Sequence, residues 1–397
     1  MDKYKKHVPD GVEDCLPAEC YIKKNIEGAL RKVFTLSGFD EIETPTYEHI
    51  DVFQSGVGSY IQESMIKFVD TNGRILVLRP DLTVPIARVA ATKFDGKAQR
   101  LFYIQNSYAA AEPAIGKAGE FTQAGIELIG DESGYADAEV IALAVKALKT
   151  AGLNSFTVDI GQVSFFKALI GEANLKDAEI DQLRHAVDAK DKMAIEALSK
   201  QFGLNEELSE QITALTDLFG GSEVFEKALR VSQRQECVDA VENLRKVYSL
   251  LNAFGLSEYI TIDLGMLHDI AYYSGIIFRG LATGIGFPVV SGGRYDELLG
   301  KFGKAAPATG FALGIKRVMI AMERQGLLGG YYETDAIVSC DTGACGAAYA
   351  FAEAMRKQGK RTVFISGLSI GSLLSEKERM GAKEAVFFDA SGCLQTL

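Results

Sequence analysis

A chain of 397 residues exceeds one ordinary core and implies two or three domains. Its 47% hydrophobic and 24% charged residues fit a water-soluble globular protein, and no stretch reaches the roughly eighteen apolar residues of a membrane span. A net charge of −11 argues against a broad nucleic-acid surface, because neutralised phosphates supply that affinity.

The opening Met1-Asp2-Lys3-Tyr4-Lys5-Lys6 is charged and has no apolar segment behind it, so a cytoplasmic address is expected. Six cysteines, at 15, 20, 237, 340, 345 and 393, are too sparse for a disulfide scaffold and suit a reducing compartment. Cys15 and Cys20, like Cys340 and Cys345, have four intervening residues rather than the two of a zinc knuckle. With four histidines in the chain, neither a metal nor another cofactor is expected.

In chain order, Ile22, Ile26, Leu30, Val33 and Phe34 recur at helical spacing over 18–38, and Gly38 is a natural stop. Pro45 keeps 41–45 extended. Strand runs follow at 65–69 and 75–78, with Asn72-Gly73 as the hairpin turn between them. A helix is predicted over 83–93, then strands over 100–108 and 121–130 joined by a loop carrying Pro113, Gly116 and Gly119. A helix over 137–151 and a strand over 156–160 precede a nearly all-helical segment at about 163–252. Strand signals return at 260–264, 276–279 and 287–290, and a helix is predicted over 313–323. Segregated strands and helices favour an α+β fold, an antiparallel sheet with helices packed on it.

After Gly326 and Gly329-Gly330 the pattern changes to strict alternation: strand 336–339, helix 347–358, strand 362–365, helix 370–380, strand 385–388. The predicted domains are therefore a core over 1–325 and a small α/β domain over 331–397.

Several stretches carry a family resemblance when taken together and in order. They are Pro9-Asp10-Gly11-Val12-Glu13-Asp14, Gly38-Phe39-Asp40-Glu41-Ile42-Glu43-Thr44-Pro45, Leu78-Arg79-Pro80-Asp81-Leu82-Thr83, Ala271-Tyr272-Tyr273-Ser274-Gly275, Gly292-Gly293-Arg294-Tyr295-Asp296 and Gly310-Phe311-Ala312-Leu313-Gly314-Ile315-Lys316-Arg317. The set resembles the catalytic core of class II histidyl-tRNA synthetases across roughly residues 1–325. By that resemblance Asp81, Thr83 and Gln123 would hold the α-amino end of a free histidine. Glu127 and Tyr273 would bond its imidazole, and Tyr272 would line the wall.

The chemistry departs from the synthetase pattern. Joining a carboxylate to the α-phosphate of ATP brings two anions together, so the site must supply fixed arginines. Ala109 stands where the second class II motif has its arginine, and Ala111 where its glutamate belongs. His268 stands at a second arginine position particular to the histidine enzyme, and Lys117 is the one cation of the loop between Ala109 and Phe121. Arg294 and Arg317 remain as candidates for anion binding.

Retained recognition beside removed chemistry resembles the regulatory, non-catalytic subunits of ATP phosphoribosyltransferase. That resemblance implies a homodimer through the class II core and a hetero-oligomer, a hetero-octamer, with a short-form catalytic subunit. It also implies histidine as effector at the first step of histidine biosynthesis. The alternative is an active histidyl-tRNA synthetase, but residues 335–397 hold seven Lys/Arg against seven Asp/Glu, not a basic tRNA footprint. The tripeptide Asp341-Thr342-Gly343 occurs in one copy, whereas aspartic-protease chemistry needs two carboxylates.

Overall fold

The computed structural model describes residues 6–54, 65–94, 98–110, 119–267, 272–330 and 332–397. Ala111, Lys117 and His268 lie outside them, as do Pro113, Gly116 and Ala271. The chain divides into two compact units, one of Met1–Cys15 with Lys23–Leu328 and one of Leu16–Ile22 with Gly329–Leu397.

Helix α1 (Pro17–Leu36) buries Ile26, Leu30, Val33 and Phe34 at the spacing the sequence predicts. It stops at Gly38, whose φ of 81° is one that few residues with a Cβ adopt. Strand β1 (Asp40–Glu41) then runs parallel to β5 (Gln99–Tyr108). Between them lies a small antiparallel sheet of β2 (Tyr47–His49), β4 (Ile75–Leu78) and β3 (Lys67–Val69), in the order β2-β4-β3, with the short helix α2 (Asp51–Gln54) after β2. The Asn72-Gly73 turn forms as expected: the Asp70 carboxylate accepts the Asn72 and Arg74 amides at 2.8 Å each. Helix α3 (Thr83–Lys93) follows.

The central sheet has nine strands in the order β1-β5-β6-β12-β11-β10-β7-β9-β8. Its middle is β6 (Glu120–Ile129), β12 (Ala308–Gly314), β11 (Pro288–Arg294), β10 (Ile276–Ala282) and β7 (Phe156–Gln162), all paired antiparallel. Strand β9 (Ile260–Asp263) pairs parallel with β7, and the two-residue β8 (Phe219–Gly220) closes the edge. Helix α4 (Gly134–Thr150), capped by Ser133, packs on β12 and on α10 (Gln235–Ala253). The segment from α5 (Val163–Ile170) through α6 (Asp177–Asp188), α7 (Lys192–Gln201), α8 (Glu206–Ala214) and α9 (Glu223–Val231) to α10 is helical apart from β8.

Three predicted elements change. Residues 308–314 form the strand β12, and the helix α11 (Ile315–Arg324) begins only after it. Gly310 and Gly314 weaken the strand signal of that stretch, and its pairing on both sides supplies the stability. Strand β11 runs on through Gly292-Gly293 to Arg294 for the same reason. Helix α4 starts at Gly134 rather than Asp137, because Ser133 caps it.

In the second unit, β13 (Ala336–Cys340), β14 (Thr362–Phe364) and β15 (Glu384–Phe388) pair parallel in the order β14-β13-β15, and β16 (Leu394–Thr396) adds an antiparallel edge that the sequence did not predict. Helices α12 (Cys345–Lys357) and α13 (Ile370–Met380) supply its two cores, one built on Ala344, Ala348 and Ala352, the other on Leu373. Among the described residues no helix is long and apolar enough to cross a membrane.

Candidate functional site

The site lies on the face of the large sheet that carries Tyr103, Glu127 and α3. Paired residues of neighbouring strands share a face, so the register fixes what lines it. One row runs Leu101, Glu127, Gly310, Gly293, Ile277, and the next runs Tyr103, Gly125, Ala312, Ser291. The centre of both rows is glycine, alanine or serine. With so few side chains of its own, this stretch of the sheet admits side chains from neighbouring strands and loops close to its backbone.

The glycines are required by what stands on them. A Cβ at Gly310 would collide with the Glu127 carboxylate, and one at Gly125 with the Tyr103 hydroxyl. One at Gly293 would sit 2.9 Å from Cδ1 of Tyr273. The walls are Tyr272, Tyr273 and Tyr295, with Tyr272 5.2 Å from Tyr273 and 5.8 Å from Tyr295 between ring centres.

Glu127 is buried at 1% exposure. Thr83 Oγ1 donates to its Oε1 at 2.8 Å, and the Tyr295 hydroxyl donates to its Oε2. Burial pushes this carboxyl up to about 8 despite both hydrogen bonds, and Asp81 nearby pushes it in the same direction. Asp81 caps the first turn of α3 by accepting the Val84 amide at 2.8 Å, and its other oxygen is 3.5 Å from the Tyr272 hydroxyl. Burial raises Asp81 to about 6. No lysine, arginine or histidine among the described residues is a cause of either shift. Two carboxyls taken from water without a counter-cation favour a ligand that brings positive charge or N–H donors.

Gln123 accepts from Ser107 Oγ at 3.1 Å, two residues along the same strand face as Gly125 and four from Glu127. The structure thus brings Asp81, Thr83, Gln123, Glu127, Tyr272 and Tyr273 to one face. Sequence reasoning missed Tyr103 and the role of Tyr295. The Tyr103 hydroxyl is buried with no hydrogen-bond partner among the described residues.

Comparison with known proteins gives the family. The family model described as histidyl-tRNA synthetase matches residues 11–318. An ATP phosphoribosyltransferase regulatory subunit from Acetivibrio thermocellus is 46% identical over 361 residues, covering 90% of this chain and 86% of that one. The chain belongs to the ATP phosphoribosyltransferase regulatory subunit family, on a histidyl-tRNA synthetase-like fold. The regulatory subunit of Clostridium kluyveri is 39% identical over 363 residues, covering 90% of this chain and 93% of that one. A solved structure from Bacillus halodurans, described as an ATP phosphoribosyltransferase regulatory subunit/histidyl-tRNA synthetase, superposes with a TM-score of 0.85 at 32% identity, covering 97% of this chain and 99% of that one. A Nostoc histidyl-tRNA synthetase shares the fold at TM-score 0.81 and 19% identity, covering 100% of this chain and 97% of that one.

The positions of Ala109 and the candidate cations bear on the departures from the synthetase pattern. Ala109 ends β5's outward run, its amide donating to the Gly119 carbonyl at 3.0 Å, and it presents only a methyl group. Arg79 is buried and spends its guanidinium on the carbonyls of Thr44 and Asn106, which ties the Gly38 to Pro45 stretch to β5.

Arg294, expected as a candidate anion-binding cation, is placed differently. Its Nε donates to both Asp137 oxygens at 3.0 and 3.1 Å. Its Nη1 reaches the Asp131 carbonyl at 3.0 Å and Asp296 at 3.1 Å, and Nη2 the Ser133 carbonyl at 3.3 Å. With its donors engaged by the protein, this guanidinium locks β11 to the start of α4 and offers nothing to a phosphate. Arg317 is exposed, donates from Nη1 to the Pro288 carbonyl at 2.9 Å and lies 5.6 Å from the Phe287 ring. Lys316 pairs with Glu13.

Proposed function

We propose that this chain is a non-catalytic subunit that binds free histidine on the glycine floor and acts on a short-form catalytic ATP phosphoribosyltransferase subunit in a hetero-octamer. It would serve the first step of histidine biosynthesis in the cytoplasm, with histidine as feedback effector. Its homodimer would use the class II core around Gly38 to Pro45. The observation that carries the reading is the pair of raised carboxyls, buried Glu127 and half-buried Asp81, with no cation among the described residues acting on either. A histidine supplies what they lack: an α-ammonium near Asp81 and Gln123, and an imidazole N–H for Glu127.

The missing catalysis follows from Ala109. Each fixed donor aimed at developing phosphoryl charge is worth about 3–4 kcal/mol of transition-state stabilisation. A methyl group supplies none of it, and Arg317 remains as a candidate anion-binding group among the described residues.

The test pairs two assays on one preparation. Calorimetry should show a single class of histidine sites, while ATP–pyrophosphate exchange with histidine should stay at background. Exchange above background would establish the synthetase reading in its place. Co-purification with the short catalytic subunit, and histidine-sensitive phosphoribosyl transfer only in the mixture, would complete the assignment. A mixture whose rate ignores this chain would overturn it.

A further inference from the structure

Outside the histidine site, the second unit holds two thiols in contact. Cys340 is the last residue of β13 and is fully buried, and Cys345 is the first residue of α12 and half-buried. Their sulfurs are 3.2 Å apart, and Cys345 Sγ is 3.7 Å from the Asp341 carbonyl. The turn between them is pinned. Asp341 N–H donates to the Phe388 carbonyl at 2.9 Å, Ala344 N–H to the Asp341 carbonyl at 3.0 Å, and Gly367 N–H to the Cys340 carbonyl at 3.1 Å.

We infer that Cys340 and Cys345 form a redox-active dithiol that low-molecular-weight disulfides close to an intramolecular disulfide. The inference rests on this geometry and is independent of the histidine site. A disulfide needs its sulfurs at about 2.05 Å, a short closure from the observed contact. The roles of the two thiols differ. Cys345 is reachable, as the half-buried first residue of α12. Cys340 is sealed in the core with Val338, Ala348 and Phe388. Burial and the neighbouring thiol push it up to about 11, so it is the second to react.

The exchange balances. The Cys345 thiolate attacks one sulfur of the small disulfide, forming a mixed disulfide and expelling one thiolate, which takes up a proton. Cys340 then loses its proton to solvent, and its sulfur attacks Cys345 Sγ, expelling the second thiolate. Two protein thiols are oxidised and one small disulfide is reduced to two thiols. The closed ring would span only residues 340–345, so it restricts the unfolded chain little and serves poorly as a structural staple.

The test uses the full chain and mixtures of oxidised and reduced glutathione, quenched by alkylation and digested with trypsin. Cleavage after Arg324 and Arg356 releases one peptide that carries both cysteines and no other. The expected result is that this peptide increasingly escapes alkylation, at a mass two hydrogen atoms below its unmodified dithiol form, reversibly, as the glutathione mixture is made more oxidising. Cys340→Ala should stop at a single glutathione adduct on Cys345, and Cys345→Ser should leave Cys340 unmodified. A stable adduct on Cys345 in the wild-type chain, or an unchanged peptide while Cys15 and Cys393 react, would overturn the inference. The wild-type mass alone decides this if either variant fails to fold.

Discussion

Gly310 lies directly across from Glu127 in the β6–β12 register, and the Glu127 carboxylate occupies the space that a Cβ at 310 would need. The glycine in the third class II-like stretch is therefore part of the carboxylate's seat. Gly310→Ala should displace Glu127 from Thr83 and Tyr295 and cost about 1–3 kcal/mol of stability, the usual range for overpacking a core. Histidine affinity should fall at least tenfold in calorimetry. An alanine variant with wild-type denaturation midpoint and wild-type affinity would show that the carboxylate is not seated there.

Tyr103 presents a buried hydroxyl without a hydrogen-bond partner among the described residues, beside a carboxyl that burial has raised. Removing an unsatisfied buried hydroxyl is close to neutral, whereas removing one that meets a ligand costs about 1 kcal/mol or more. Tyr103→Phe should therefore leave the ligand-free stability unchanged or slightly higher while weakening histidine binding several-fold. Unchanged affinity would remove Tyr103 from the ligand's surroundings.

Arg294 tests the division between scaffold and site. It is buried and holds Asp137 with Asp296 and two carbonyls, so truncating it strands an acid in the core. Arg294→Met should cost about 3–5 kcal/mol in urea unfolding, the range for breaking one partner of a buried pair. Arg317→Ala, at an exposed position, should change stability by less than about 1 kcal/mol. If Arg294→Met were as stable as wild type and lost only nucleotide or phosphate binding, the locking role would be wrong.

The sequence made the helices and the long β5–β6 pair legible because their periodicity is local. The glycine-bearing strands were harder. Residues 308–314 alternate Thr309, Phe311 and Leu313 with glycine and alanine, so their strand signal is weak and their two neighbours in the sheet determine their state. The six proposed ligand-binding residues were reached through family resemblance, since nothing local shows that Thr83 will donate to a carboxylate 44 positions away. Arg294 illustrates the limit. Its residue type suits a phosphate and a buried aspartate equally, and the partner that decides the matter, Asp137, is 157 positions distant. Tyr103 was missed because a buried strand tyrosine reads as packing until the face it occupies is known.

The raised carboxyls give the protein a defined pH response. Glu127 has an ordinary value of 4.5 and Asp81 one of 3.8, and burial takes them to about 8 and about 6 in the folded state. Between those limits the folded protein holds more protons than the unfolded chain, so their contribution to stability is full at low pH and is lost as pH rises through the folded values. Asp81 completes its loss near pH 6 and Glu127 near pH 8. Histidine should act in the opposite sense. It offers an ammonium that stays charged across this range and an imidazole N–H at every protonation state, so it selects the ionised carboxylate. Its affinity should rise from about pH 6 to about pH 8, with a proton released on binding that calorimetry in buffers of different ionisation enthalpy can count. Glu127→Gln keeps the shape and removes the titration. Its urea midpoint should fall less than wild type's between about pH 6 and about pH 8, and its weaker histidine binding should lose both the pH slope and the released proton. Parallel midpoint curves for the two proteins, with equal proton release, would mean that another group carries the titration.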